Sequence, residues 1–470
     1  MTNCLTSRPI ATHNSKKTVA VSGPVNNANR LISRKSVSSK VIASKSSVKF
    51  LAPSSSSFSS LRCKPLRSTE TSEALTSVKA EKLGVILLNV GSPNCLEDVK
   101  PFLNNIFSDS DFVRLPSCAR GFQGQIANFL SGIHSADTTK SFSNLGGSSP
   151  LLRLSQDQAA SLAKALEAKG HVDAKVYVGM RYWHPFIEET LKQVKADGVT
   201  KLVVLPMFPQ YSISTTGSVL HSIKDQLSSD SDLKQLPTAV VSRFSTRPAF
   251  VKSTADMIEA EIKKFNDLDS THILFAAQGI PTSYVQNWSD PYPREVVQSV
   301  NLVVEELKKR GITNPHAVSY NGVTGPIQYL NPSTQDTIRK LRNDGAFGIL
   351  AVPISFVTEN VNTMNELDGE YREIAEHATV QEWFRTPALG TYAPFIEDLA
   401  DAVIEAAASA GSVSDIKLEG AQDVSMGQLV NSSLKSWEGQ VFLTVSVLTM
   451  MYYWIKIGRA LAPAFQNLID

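Results

Sequence analysis

From residue 82 onward, short and nearly unbroken apolar runs recur along the chain, and between them lie stretches in which apolar residues return every three or four positions. The first pattern marks strands buried on both faces, and the second marks amphipathic helices. Strands are expected at Lys82–Val90, Ala174–Met180, Lys201–Phe208 and Ala239–Phe244, then at His272–Gln278, His316–Asn321, Phe347–Phe356 and Trp383–Leu389. Helices are expected at Gln156–Ala168, Pro185–Ala196, Pro248–Phe265 and Arg294–Arg310, the last stopping at Gly311 as a helix C-terminus should. Four strands and then four more, alternating with helices, predict an α/β fold of two tandem doubly wound parallel-sheet domains, 82–245 and 246–408, divided near Ser245–Pro248. With 470 residues, 42% of them apolar, each unit can bury its own core.

The flanks read differently. Residues 1–69 contain no Asp or Glu and twelve Lys or Arg, so the formal charge of +2 hides a tail of +12 ahead of a remainder of −10. An acid-free, Ser-rich, basic start without a compact apolar core predicts an organelle transit peptide of chloroplast type over 1–75. A basic arm for nucleic acid or anionic lipid is the competing reading. The run Ser54-Ser-Ser-Ser-Phe-Ser-Ser60 lacks the aromatic and glycine pattern of an RNA-binding segment, so no nucleic-acid partner is expected. Residues 409–436 turn polar and small, as a linker does. Val441–Ile455 then runs without a charge, ending in aromatics and followed by Lys456 and Arg459. As a helix, Val441–Ile457 would span about 25 Å against a bilayer core of ~30 Å. A C-terminal hydrophobic helix that crosses a membrane is therefore expected over 437–462, with an amphipathic or buried C-terminal helix as the alternative. The cysteines, Cys4, Cys63, Cys95 and Cys118, show no C-x-x-C spacing, which excludes a sequence-legible disulfide framework, zinc site or iron–sulfur cluster.

Motifs rich in Gly, Pro and polar residues fall at strand ends. Asn89-Val-Gly-Ser-Pro93 follows the first strand, Pro206-Met-Phe-Pro-Gln-Tyr-Ser212 ends the third, and Ala277-Gln-Gly-Ile-Pro281 ends the fifth. That edge is where doubly wound sheets hold ligands. Further motifs are Gly179-Met-Arg-Tyr-Trp-His-Pro-Phe186, Ser289-Asp-Pro-Tyr292, Val352-Pro-Ile-Ser-Phe-Val-Thr-Glu-Asn-Val-Asn362 and Glu366-Leu-Asp-Gly-Glu-Tyr371. In order and spacing, over about Lys82 to Ala407, they resemble the ferrochelatases of plants and cyanobacteria. The resemblance implies the same fold, insertion of Fe2+ into protoporphyrin IX, and a tetrapyrrole (protoporphyrin IX or haem) as substrate or ligand, with no cofactor required. Such ferrochelatases often end in a hydrophobic helix related to the light-harvesting chlorophyll-binding motif. A thylakoid or envelope membrane and a thylakoid protein complex are thus the further partners implied, and the chloroplast the implied location.

Metallating a porphyrin requires a base near neutral pKa to take two pyrrole N–H protons, and oxygen or nitrogen ligands that lead the metal in. The resemblance places a His at Gln278, and a His and a Glu at Asn360 and Asn362. Carboxamides do not titrate near pH 7 and are weak ligands. Glu359, Glu366 and Glu370 remain as acids, and Asn362, Glu366 and Glu370 fall at i, i+4 and i+8, on one helix face; read without the family pattern, that is a solvated acidic face. In the first half Arg181, Tyr182, Tyr211 and Ser212 are candidate porphyrin-pocket residues, although aromatics beside a sheet commonly fill the core. His184 is the imidazole nearest these motifs, with a surface histidine as the plainer reading. No metal-ligand set is expected. Two functions compete: a chloroplast ferrochelatase working through Glu359, Glu366 or His184, and a catalytically inactive relative that binds a tetrapyrrole or a membrane-complex partner. A soluble chelatase for another ring or metal would need the same missing ligands, and no P-loop supports an ATP-driven one.

Overall fold

β1, Leu83–Asn89, is buried at every position, as a parallel strand covered on both faces must be. The computed structural model describes residues 81–115, 117–322 and 328–420, giving 117–119 by backbone alone. From β1 the chain runs through α1 (Val99–Ser108), α2 (Gln123–Asn144) and α3 (Leu151–Ala168) to β2 (Lys175–Met180). It continues through α4 (Ile187–Ala196), β3 (Lys201–Pro206) and α5 (Ser218–Ser229) to β4 (Thr238–Val240). After α6 (Pro248–Ile262) come β5 (Thr271–Gln278), α7 (Thr282–Trp288), α8 (Tyr292–Lys309), β6 (His316–Asn321) and α9 (Thr334–Asn343). Then follow β7 (Gly348–Pro353), a π-helix (Asn362–Glu370), α10 (Tyr371–His377), β8 (Glu382–Arg385) and α11 (Ala393–Ala408).

The strands form two four-stranded sheets, ordered β2-β1-β3-β4 and β6-β5-β7-β8, with every pair parallel. In each sheet the second strand lies on one side of the first and the third on the other. This reversal opens a crevice at the carboxyl ends of β1 and β3, and another at those of β5 and β7. All eight expected strands are present, and the two outer ones are shorter than expected. Beyond Val240 the chain peels away because Phe244 N and Ser245 N donate to the Pro209 carbonyl in the loop after β3. Beyond Arg385 it leaves likewise, Gly390 N donating to the Val357 carbonyl.

Alternation along β5 divides the interior. Ile273, Phe275 and Ala277 join a large cluster that also holds Val85, Leu205 and Phe395, while Leu274 and Ala276 face a smaller one with Ile349, Ala351 and Trp383. The expected boundary near Ser245–Pro248 therefore separates two sheets but not two interiors. α11, the last helix, packs on α3, α6, β3 and β4 rather than closing the second sheet alone.

The linker expected from 409 is corrected for residues 409–420. Thr238 N donates to the Gly411 carbonyl at 2.8 Å and Gly411 N to the Thr238 carbonyl at 3.1 Å. Val413 and Ile416 are buried in the shared core. Lys224 Nζ donates to the Ile416 carbonyl at 3.0 Å, and Glu419 N to Tyr211 Oη at 2.9 Å. The segment is a strap across the first half. The expected transit peptide, the rest of the linker and the C-terminal membrane helix lie outside the described residues. Among the described residues no helix is long and apolar enough to cross a membrane.

Truncating Ile416 to Ala should cost about 2–4 kcal/mol, the usual price of such a cavity, read as a lower urea midpoint. Ser414→Ala, on the exposed side of the strap, should stay within about 0.5 kcal/mol. Equal midpoints for the two variants would mean that the strap is a free linker.

Candidate active site

Gln278 closes β5 at the crevice of the second sheet, and its neighbour explains the backbone there. Gly279 N donates to the Asn321 carbonyl at 3.0 Å, and a Cβ on Gly279 would lie 2.1 Å from that oxygen. Only glycine lets the ends of β5 and β6 close up in this way. Above them lies the π-helix, a rare form that is frequent at functional sites. Asn362 Nδ2 donates to Glu366 Oε1 at 3.0 Å and, more weakly, to Gln278 Oε1 at 3.4 Å. One amide nitrogen thus joins β5 to the carboxylate row.

Glu366 is the titrating group of this cluster. Its Oε2 is sealed from solvent and has no hydrogen-bond partner. Burial, reinforced by the charge of Glu370, pushes its pKa up to about 8, against the pull of the Asn362 hydrogen bond. Glu370 itself is exposed. At neutral pH the site therefore presents two amides and a mostly protonated carboxyl. Tyr371, at the end of the π-helix, accepts a hydrogen bond from Gly322 N at 3.3 Å, fixing this row to the end of β6.

Asn360 and Glu359 do not join the cluster. Asn360 Oδ1 accepts from Asn362 N at 2.8 Å and from Thr363 N at 3.2 Å, and its Nδ2 donates to the Thr358 carbonyl at 3.2 Å. Thr363 Oγ1 in turn accepts from Asn360 N at 3.0 Å. The side chain is a helix cap with a reciprocal partner. The pattern Asn360-Val-Asn-Thr363 carried that signal in the sequence. Glu359 Oε1 accepts from Arg385 Nη1 at 2.9 Å and from Ala388 N at 2.8 Å, and Arg385 also grips Asp368. Glu359 is therefore an ion-pair partner beneath the site.

The first-half candidates lie in buried polar networks. Tyr182 Oη donates to Asp109 Oδ2 at 2.7 Å, Ser218 Oγ donates to the same oxygen, and Arg181 Nη2 pairs with it at 3.1 Å. Burial pushes the Tyr182 phenol well up. Tyr211 and Ser212 are each 1% exposed. Ser212 Oγ and Ile213 N both donate to Asp290 Oδ2 at 2.9 Å, while Tyr211 N donates to Glu295 Oε2 at 2.8 Å. These bonds, with Gln210 Nε2 to the Ile354 carbonyl at 3.1 Å, bring the carboxyl edges of the two sheets together. The cavity beside Arg181, about 210 Å³ and lined by Ser110, His221 and Asp225 among others, is smaller than the ~300–1,000 Å³ of ordinary ligand pockets. Asp109, Ser218 and Asp290 hold this side together; Ser218 closes the motif that runs from Leu205 and Asp290 lies in Ser289-Asp-Pro-Tyr292, whereas Asp109 lay in no motif read as informative.

His184 points to the surface, where its Nδ1 meets Glu189 Oε1 at 2.9 Å and its ring packs on Phe186. Among the described residues no three His, Cys, Asp or Glu side chains converge as metal ligands.

Comparison with known proteins agrees on one family. The ferrochelatase family model matches residues 82–407. The chain is 45% identical over 338 residues to ferrochelatase-1, chloroplastic/mitochondrial, of Arabidopsis thaliana, covering 72% of each. It is 44% identical over 342 residues to ferrochelatase-2, chloroplastic, of Oryza sativa subsp. indica, covering 73% of this chain and 65% of the relative. Against the ferrochelatase of Gloeobacter violaceus it is 40% identical over 324 residues, which are 69% of this chain and 97% of that one. A match that takes in both sheets, the Gln278 edge, the π-helix and α11 leaves one conclusion: the chain belongs to the ferrochelatase family of haem biosynthesis.

Proposed function

We propose that this chain is a chloroplast member of the family that binds a tetrapyrrole at the carboxyl edge of its sheets and has lost the metal-insertion step. The observation that carries this reading is the Asn362 amide between Gln278 and Glu366. Where the family resemblance places two imidazoles and a carboxylate, this site holds a hydrogen-bonded amide pair and a helix cap. Neither accepts a pyrrole proton. Losing a general base costs ~10²–10⁴ in rate, and groups that act together do not multiply their losses. The chloroplast setting rests on the relatives, whose names include chloroplastic ferrochelatases.

Glu366 supports a second, narrower reading, in which it takes the protons slowly. With its pKa near 8, about a tenth of it is ionised at pH 7. Such an activity would rise with pH through that value.

Anaerobic protoporphyrin IX and Fe2+ should give no haem above background with this protein, while the porphyrin still binds, read as quenched tryptophan fluorescence. The double revertant Gln278→His, Asn362→Glu should gain at least ~10² in rate. Adding Asn360→His should cost about 1 kcal/mol of stability by removing the cap. Haem formation by the unmutated protein would overturn the first reading, and a rise of that activity toward pH 8 would install the second.

Glu366 also sets a sign for stability against pH. Because its carboxyl is raised in the folded state, the fold holds a proton that the unfolded chain releases. Its contribution is complete below the ordinary carboxylate range and fades as pH climbs to about 8. Glu366→Gln should flatten that slope and raise the urea midpoint at pH 8–9. An unchanged slope would show that Oε2 reaches solvent.

A further inference from the structure

The cavity beside Arg181 is lined by a histidine that neither the candidate active site nor the core uses. His221 and Asp225 stand one turn apart on α5, at i and i+4, and both line this space of about 210 Å³. Their side chains are 46% and 70% exposed, so solvent and small ions reach them.

The imidazole is held from behind. His221 Nδ1 meets Asp111 Oδ2 at 2.7 Å. A carboxylate only accepts, so the Nδ1 proton lies in this bond and Nε2 carries the lone pair. Asp111 is itself fixed, because its Oδ1 pairs with Arg114 Nη2 at 2.9 Å and its N–H donates to Asp109 Oδ1 at 2.9 Å. A carboxylate behind a histidine in this way is the usual device for aiming the other ring nitrogen at a metal.

Here the lone pair is aimed at a second acceptor. His221 Nε2 stands 3.6 Å from Asp225 Oδ2, too far for a hydrogen bond. Two acceptors that face each other call for a cation between them. Atoms bound at ~2.0–2.2 Å to a tetrahedral ion lie ~3.4 Å apart, so the gap suits a metal better than a proton. Charge agrees. Asp111 is paired with Arg114 and Asp109 with Arg181, whereas Asp225 has no lysine or arginine partner among the described residues.

We propose that His221 Nε2 and Asp225 Oδ2 bind a divalent transition-metal ion, with Asp111 orienting the ring and water from the cavity completing the shell. The cavity has room for several waters, with Ser110 and Ser222 in its wall. One imidazole and one carboxylate select a borderline ion such as Zn2+ or Co2+ over Mg2+ or Ca2+, which prefer oxygen ligands alone. Two protein ligands are fewer than a structural zinc site has, so the ion exchanges with solvent and does not hold the fold. The site shares no residue with the Gln278 row and does not depend on a tetrapyrrole binding there.

Co2+ added alone to the full chain tests this, because cobalt in a site of low coordination absorbs visible light far more strongly than the hydrated ion. A single equivalent should give a saturable visible band that Zn2+ displaces. His221→Ala should abolish the band. Asp111→Asn, which leaves both ligands in place, should weaken binding by about 10–100-fold, and Asp225→Asn by at least as much, with the circular dichroism of all the metal-free proteins coinciding. A band that survives His221→Ala would put the cobalt elsewhere and overturn the proposal. So would the lack of a saturable band in the unmutated protein, which means that His221 holds a second proton and sits as an imidazolium between two carboxylates. Unchanged affinity in Asp111→Asn would overturn the orienting role of that residue.

Discussion

A parallel strand covered on both faces has no place for a polar side chain except at its ends. β1, β3, β5 and β7 obey this along nearly their whole length. The polar groups of both sheets are therefore pushed to the strand ends, and at the carboxyl ends the reversal of strand order leaves a crevice. The candidate active site described above follows from that exclusion. Gln278 is the residue at which β5 stops being buried, and the π-helix after β7 is the nearest element able to face it. Gly279 completes the arrangement by letting two carboxyl ends approach more closely than a side chain would permit.

The amides change the character of that edge. A carboxylate facing imidazoles would set up strong fields and a proton path. Here a single NH₂ group shares its two donors between an amide oxygen and a carboxyl oxygen. Such a bridge is neutral and stays neutral over the physiological range. What charge the row could carry is further muted, because Glu366, half-buried with its Oε2 sealed, keeps most of its proton until the solution is mildly alkaline. The cluster is organised to hold a position more than to exchange a proton.

The sheets were legible because burial on both faces writes itself as continuous apolar runs, and all eight strands lie where those runs are. Their outer ends were not, because a strand that peels away beyond Val240 keeps, as far as Phe244, the same residue types it had inside the sheet. The strap was missed for the opposite reason. Two anchors, Val413 and Ile416, are too few to register against the small polar residues around them, yet they suffice because backbone bonds at Gly411 and Glu419 share the task. Motif matching found Gln278, Asn362 and Glu366 together, which share one edge. It grouped Asn360 and Glu359 with them because neighbours in sequence look like neighbours in space. At the start of a helix they are not: Asn360 turns back on the backbone and Glu359 down to Arg385. Tyr211 and Ser212 show the same limit, since a residue type suited to lining a pocket also suits a buried network.

The route of α11 and the strap has a consequence for synthesis. The first sheet is complete in strands by Val240, but its cover arrives much later. Lys224 waits for a carbonyl 192 residues on, and Arg114 for one 306 residues on. The second sheet is thus enclosed, in chain order, by the parts of the first. A nascent chain emerging N-terminus first must keep its leading half unfinished, with part of that half's apolar surface open, until the last strap residue has left the ribosome. Completion of the opening half's packing thus rests on residues that are synthesised after the whole second sheet.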